Sequence, residues 1–276
     1  MYPDRNPLKE KLEQDKCIHG LYIQTASPDN VEMAAAAGYD YVILDLEHGS
    51  FGYSEMLQMI RAAEASGIAP VVRVSQNCAS EIRKALEAGA VGVYVPDIQT
   101  AEQAEAAVAA VKFRSAEATG LRGACPTVRS ARSRGASEWP EYVDWSNRNT
   151  VLSLLIESQK GLDNLDKILQ IPGIDTIIMG RFDLAQEMGL KGDRYGKEMS
   201  EKFELFADQC KRAGVPYLAR LSSLNADKAR AEYDYWIQRG ARIFNLGSDR
   251  ELIARSFSQA LHPLTPPIQE QNASGA

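Results

Sequence analysis

Histidine is scarce in this 276-residue chain, which carries only His19, His48 and His262. A metal centre built from imidazoles is thereby excluded, and any metal must lean on carboxylates. Cysteine is scarce as well. Cys17, Cys78, Cys125 and Cys210 are widely scattered, with no C-x-x-C pair. A disulfide framework would be denser, so reduced thiols and a cytoplasmic location are expected. No apolar run is long enough to span a bilayer. The opening MYPDRNPLKEKLEQDK has no apolar stretch behind its charges, so neither a membrane nor a secretory signal is expected. Basic charge is in deficit: 31 Lys and Arg against 37 Asp and Glu leave a net charge of −6, without the basic stripe that nucleic acid requires. There is also no P-loop, no G-x-G-x-x-G and no H-E-x-x-H.

What is present is an ordinary globular composition, 45% hydrophobic and 25% charged, laid out as an alternation. Short β-branched runs at 19–25, 39–48, 69–74, 92–97, 151–158, 175–180, 216–221 and 242–248 read as strands. Several are continuous apolar runs, as expected of parallel strands covered on both faces. Between them lie Ala-, Leu- and Glu-rich segments with apolar positions three and four apart. SPDN (27–30) and TAEQ (100–103) look like helix starts, and Gly38, Gly67, Gly89, Gly214 and Gly240 like helix stops. The expected class is α/β, a (β/α)8 TIM barrel forming one domain over 1–262, with 263–276 a disordered tail. A doubly wound sheet would need a Gly-rich turn after its first strand, and ASPDN is not one. Residues 113–150 form a long connection holding Arg122, Arg129, Arg132, Arg134 and Arg148. Such connections are functional or disordered, and Trp139 and Trp145 argue against disorder.

Chemistry in such a barrel sits at the C-terminal ends of the strands. Strand two ends in LDLEH, offering Asp45, Glu47 and His48. Strand three offers Arg73, strand five Glu157, and Asp183 lies just past strand six. Asp45 and Glu47 are two apart and face one way on a strand. An imidazole oriented by Asp45 is a serviceable general base, although a lone histidine is also a common structural group. Arg73 suits a substrate carboxylate or carbonyl, or an ion pair with a rim acid. Glu157 and Asp183 are hard oxygen donors of the kind that hold Mg²⁺ or Mn²⁺; Asp183 also suits a helix cap. None of the predicted strands contains a lysine, and Lys160 falls in a polar turn, which counts against a Schiff-base mechanism.

The strings YDYVILDLEHGSFGY, PVVRVSQN, GVYVPDIQTAEQA, LRG and GRFDLAQEMG occur in the order and spacing of a known family. They resemble the metal-dependent class II pyruvate aldolases of the HpcH/HpaI type, related to 4-hydroxy-2-oxoheptanedioate aldolase, within the citrate-lyase-β-like superfamily. The resemblance covers about residues 7–260. It implies a (β/α)8 barrel with the last helix exchanged in dimers that build hexamers, and hence a homo-oligomer. It implies His48 as general base oriented by Asp45, Glu47 as a carboxylate near metal-bound water, and Arg73 as the group that contacts the keto acid and steadies the enolate. Glu157 and Asp183 match the metal ligands, for Mg²⁺ or Mn²⁺ with Co²⁺ as a further candidate. The backbone from Gly180 through Arg181 and Phe182 to Asp183 is implied as the receiver of the pyruvate carboxylate.

Two departures stand out. Gly180-Arg181-Phe182-Asp183 replaces the frequent Gly-Pro-x-Asp, and Leu155 stands where many members have Gln. Arg181 facing the pocket would favour a substrate with a second anionic group. Arg181 turned outward would pair with an acid such as Glu187 and leave substrate choice to the 113–150 connection. The expected reaction is reversible aldol cleavage of a 4-hydroxy-2-oxo acid to pyruvate, or a related 2-keto acid, and an aldehyde. The alternatives are a Claisen-type synthase making citrate from oxaloacetate and acetyl-CoA, and a non-catalytic ligand-binding barrel.

Overall fold

In the computed structural model, which describes residues 5–132, 136–221 and 226–264, eight parallel strands close into a barrel in chain order. They are β1 (Ile18–Ile23), β2 (Tyr41–Asp45), β3 (Ala69–Arg73), β4 (Gly92–Val95), β5 (Val151–Ile156), β6 (Thr176–Met179), β7 (Tyr217–Arg220) and β8 (Ile243–Ser248). Each falls on one of the eight apolar runs, so the (β/α)8 TIM barrel is the architecture found. The helices are α1 (Pro7–Glu13), α2 (Pro28–Ala36), α3 (Tyr53–Ser66), α4 (Ala79–Ala88), α5 (Ala101–Val111), α6 (Trp139–Asn149), α7 (Gln159–Asp163), α8 (Leu165–Ile168), α9 (Arg181–Glu187), α10 (Lys197–Ala213), α11 (Ala226–Gln238) and α12 (Asp249–Leu261). Of the predicted tail, residues 265–276 lie outside the described residues.

The continuous apolar runs are explained by burial on both sides. Every residue of β2, β3, β4, β5 and β6 is buried. Alternate residues such as Ile43, Val71, Tyr94 and Leu155 fill the barrel, while Val42, Leu44, Val72 and Val93 face the helices. Gly20 on β1 is required by this filling, since a Cβ there would stand 2.2 Å from the Tyr41 ring. The helix signals also hold. Ser27 caps α2 through the Asn30 N–H, and Thr100 and Gln103 form a capping box at α5. Gly67 and Gly89 end α3 and α4 in the left-handed conformation.

The N-terminal end of the barrel is tied electrostatically. Asp40 accepts from the His19 N–H at 2.7 Å and from Lys11 Nζ. Burial pushes its carboxyl up, but the bonds from His19 and Lys11 outweigh this and hold it at about 2. A depressed carboxylate adds stability above its unfolded pKa and loses it as pH falls through the folded value. Asp40→Asn should therefore cost about 1 kcal/mol at pH 7 after allowance for solvent screening. In thermal melts the gap should be roughly 2–4 °C at pH 7. It should close as the pH is lowered from about 4 to about 2.

The long connection is ordered in its described part and lies between α5 and β5, at the N-terminal end of the strands. Arg122 stacks over Phe113 at 4.4 Å and donates to Ser146 and Tyr142. Arg129 bonds Glu64 and the Ala88 carbonyl, and Trp139 packs edge-on against Phe113. None of these residues lines the cavity at the opposite end of the barrel described below, and Arg134 lies outside the described residues.

Candidate active site

A cavity of about 470 Å³ opens at the C-terminal ends of the strands. Nearly every sequence-predicted site residue reaches it: His48, Arg73, Glu157, Gly180, Arg181, Phe182 and Asp183 all line it. Asp45 and Glu47 stand directly behind Arg73.

The anchor is Asp45, the last residue of β2 and fully buried. Arg73, its register partner on β3, donates Nε to Asp45 Oδ1 at 2.9 Å and Nη2 to Oδ2 at 2.6 Å. The strand ends at Asp45, so Glu47 lies in the following turn and not on the strand. It still reaches Arg73, with Oε2 2.8 Å from Nη1. Burial pushes the Asp45 carboxyl up, yet Arg73 outweighs it and the net shift is downward. Burial pushes Glu47 up, against Arg73, with Asp45 and Asp183 adding to the rise. Arg73 also lies over the Tyr22 ring at 5.0 Å. The ion-pair reading of Arg73 is therefore realised. Two of its five N–H groups are committed to Asp45, and the residue also lines the cavity.

One expectation is corrected. Asp45 does not orient the His48 imidazole. Its Oδ1 accepts the backbone N–H groups of Glu47 and His48, each at 3.1 Å, and its Oδ2 accepts from Gln24. A buried carboxylate so committed has no acceptor left for the ring; it shapes the turn that presents His48. The imidazole itself is 59% exposed at the cavity mouth, with Nε2 3.9 Å from Glu47 Oε2.

Carboxylates gather on the β4–β6 side. Glu157 follows β5 and accepts from the Asp97 N–H at 2.8 Å. Its carboxyl is pushed up to about 7 by burial, against that bond, with Glu47 and Asp183 adding to the rise. Gly180 leaves the space beside it free, since a Cβ there would lie 2.4 Å from Glu157 Cβ. Asp183 is exposed in the first turn of α9 and makes no side-chain cap bond. The helix-cap reading of Asp183 is thus not realised.

Arginines gather on the β7–β8 side. Arg181 opens α9 and is only 9% exposed, its guanidinium 3.6 Å over the Phe203 ring. The outward reading is overturned, because Glu187 instead accepts from the Gln159 N–H. Phe182 points to the rim and is 55% exposed. Arg220 and Arg194, which sequence reasoning missed, share Glu251. Gln24 just past β1, Arg220 ending β7 and Asn245 on β8 obey the same strand-end rule and were legible by it. Arg194 lies in an irregular segment with no such signal.

The chain has counterparts among known proteins. The profile described as HpcH/HpaI aldolase/citrate lyase matches residues 19–256. The hydroxypyruvate/pyruvate aldolase of Paraburkholderia phytofirmans is 30% identical over 259 residues, covering 93% of this chain and 96% of that one. The 4-hydroxy-2-oxo-heptane-1,7-dioate aldolase of Salmonella dublin is 32% identical over 276 residues, covering 99% and 98%. A crystal structure of a family member from Burkholderia cenocepacia J2315 superposes with a TM-score of 0.85 at 28% identity, over 94% of this chain and 99% of that one. The barrel, the profile match and these full-length relatives agree, and the chain belongs to the HpcH/HpaI aldolase/citrate lyase family.

Proposed function

We propose that the protein is a divalent-metal-dependent class II aldolase. It would reversibly cleave a 4-hydroxy-2-oxo acid to pyruvate, or a related 2-keto acid, and an aldehyde. The aldolase names of relatives aligned along nearly their whole length support carbon–carbon bond cleavage as the chemistry. The single observation that carries the reading in this chain is the carboxylate group around Glu157. Beyond burial, Glu47 and Asp183 raise the Glu157 carboxyl and Asp183 and Asp97 raise that of Glu47, while the guanidinium that opposes both, Arg73, already serves Asp45.

These residues fit a cation. Glu157 is held near 7 by burial and by its acidic neighbours. Glu47 Oε2 is buried with no hydrogen bond, its approach to Arg73 being an ion pair only. Among the described residues no three His, Cys, Asp or Glu side chains converge as ligands; the proposed site has two, Glu157 and Asp183. They would hold Mg²⁺ or Mn²⁺, with Co²⁺ a further candidate. When bound, such an ion supplies Lewis-acid polarisation of a 2-keto oxygen.

The chain's own residues then divide the work. The first turn of α9, whose N–H groups have no intrahelical partner, suits the keto-acid carboxylate. Arg73, fixed by Asp45 and Glu47 and lining the cavity, would meet the enolate charge as it develops. His48 Nε2, at the mouth, takes the proton of the 4-hydroxyl group on cleavage and returns it on addition. His48→Ala should lower kcat about 10²–10⁴-fold while metal affinity, read by titration calorimetry, stays as in the wild type. An unchanged rate would return His48 to a structural role.

A homo-oligomer of dimers building a hexamer belongs to the same proposal. Phe257 and Leu261 on α12 are 72% and 59% exposed, apolar surface of the kind a second copy covers. A reduced, cytoplasmic setting also stays a proposal; among the described residues no helix is long and apolar enough to cross a membrane. The test of function is pyruvate release from a panel of 4-hydroxy-2-oxo acids, with and without Mg²⁺, Mn²⁺ and Co²⁺, and with oxaloacetate plus acetyl-CoA as a separate arm. Metal-dependent pyruvate release supports the aldolase. Citrate formation without pyruvate release moves the protein to the Claisen class, and no turnover in any arm leaves a binding barrel.

A further inference from the structure

We infer that Tyr22, on the floor of the cavity, is the acid that hands a proton to the enolate carbon once the bond to the aldehyde has broken. This rests on the aldolase reading above, in which that carbon must gain a proton before a 2-keto acid can leave.

Tyr22 stands on β1, paired in register with Ile43, and both side chains belong to the cluster that fills the barrel. Of that cluster, Tyr22, Leu155, Ile178 and Leu218 also line the cavity, so its floor is aliphatic apart from one phenol. The other tyrosines of the barrel interior, Tyr41 and Tyr94, satisfy each other, with their hydroxyls 3.2 Å apart. A phenol taken out of water normally finds such a partner. The Tyr22 hydroxyl makes no hydrogen bond among the described residues, and it is not one of the polar atoms sealed from solvent. Its uncharged neighbours on the cavity wall are already committed. Asn245 bonds the Gly20 carbonyl and the Gly247 N–H, and Tyr195 bonds the Leu221 carbonyl. The barrel thus presents a free O–H donor from an otherwise apolar floor.

The surroundings suit an acid and not a base. Burial pushes the Tyr22 phenol up, against the pull of Arg73, so the hydroxyl keeps its proton at neutral pH. Arg73 lies over the ring at 5.0 Å, and Arg220 acts on the same group, so two cations steady the phenolate that donation leaves. The protons balance. On cleavage His48 takes the 4-hydroxyl proton, and the C3–C4 electron pair passes into the enolate. The Tyr22 O–H then gives its proton to C3, the enolate pair forms the new C–H bond, and the O–H pair stays on the phenolate. Solvent water returns a proton to Tyr22, and His48 releases its own. His48 sits at the mouth with its imidazole 59% exposed, where the aldehyde departs. A donor on the floor reaches the carbon without waiting for that aldehyde to clear the mouth.

The test uses the Mn²⁺-loaded protein and Tyr22→Phe, which deletes the hydroxyl and keeps the ring under Arg73. Exchange of the pyruvate methyl protons in D₂O runs the proton transfer in both directions and needs no aldehyde. It should fall about 10²-fold or more in the variant, the usual range for lost acid–base catalysis. Aldehyde formed from a 4-hydroxy-2-oxo acid in a single turnover, followed by rapid quench, precedes the transfer and should stay within about threefold of wild type. A tyrosine that only holds Arg73 in place would make both readouts fall together. That result, or exchange within about threefold of wild type, overturns the assignment. Tyr22→Met, which fills the floor without a donor, decides the matter by the same two readouts if Tyr22→Phe does not fold. Wild-type protein with neither exchange nor aldehyde formation removes the aldolase reading and the role of Tyr22 with it. Wild-type exchange that Tyr22→Phe leaves intact removes the role of Tyr22 alone.

Discussion

Glu157→Ala and Asp183→Ala, made singly, should each abolish turnover, by at least about 10³-fold, with the barrel intact. The proposed site has two protein donors, and loss of either leaves too few for a hard cation that keeps several waters. EDTA should have the same effect on the wild type, and Mn²⁺ should reverse it there but not in the variants. Full activity in EDTA ends the metal reading. Stability supplies a second readout with an unusual sign. In the metal-free protein Glu157 is raised from its ordinary value of 4.5 to about 7. Below 4.5 it is protonated in both folded and unfolded chains and has no effect. Between 4.5 and 7 the unfolded chain ionises first, so the folded state loses stability as pH rises, on the order of 2–3 kcal/mol by pH 8. Glu157→Gln should therefore melt higher than metal-free wild type at pH 8 and equal to it near pH 4. A variant that is both inactive and more stable marks a residue kept for chemistry against the interest of the fold.

The second large effect concerns Arg73. Arg73→Ala would leave Asp45 fully buried without its counter-ion. Removing one partner of a buried pair costs about 3–5 kcal/mol, which for a chain of this size is roughly 10 °C in Tm. The same change removes a guanidinium from the cavity wall, and on the proposed mechanism a loss of about 10²–10³-fold in kcat is expected. Arg73→Lys separates the effects. It keeps the charge beside Asp45 but not the two-pronged geometry, so most of the stability should return while kcat stays depressed. Recovery of both together would mean that Arg73 acts through its charge alone.

The barrel was readable because its strands are buried on both faces and its helices stop at glycines, both of which are local patterns. The acidic half of the site was readable for the same reason, as Asp45, Arg73, Glu157 and Asp183 interrupt or follow apolar runs. What escaped depends on how distant segments meet. The commitment of Asp45 to Gln24 and to backbone N–H groups follows from β1 lying beside β2, and no spacing within LDLEH distinguishes it from a bond to the His48 ring. The burial of Arg181 depends on Phe203 from α10 and Trp236 from α11, supplied far along the chain. Arg220 and Gln24 needed only the strand-end rule applied to β7 and β1.

The placement of the long connection has a consequence for how such a chain can be altered. The segment between α5 and β5 hangs from the end of the barrel opposite the cavity, fastened by the buried Asn6 side chain to Val91 and Asn149. The turn after β2, by contrast, puts Glu47 within a few ångströms of both Arg73 and the His48 ring. Outside its packed Phe113, Arg122 and Tyr142 cluster, exposed positions of the first such as Leu121 can change without touching the cavity, which suits them to tags or new contact surfaces. A single inserted residue in the second re-aims an acid and an imidazole at once. Tinkering in this scaffold is thus compartmented along the barrel axis, with tolerance at one pole and chemistry at the other.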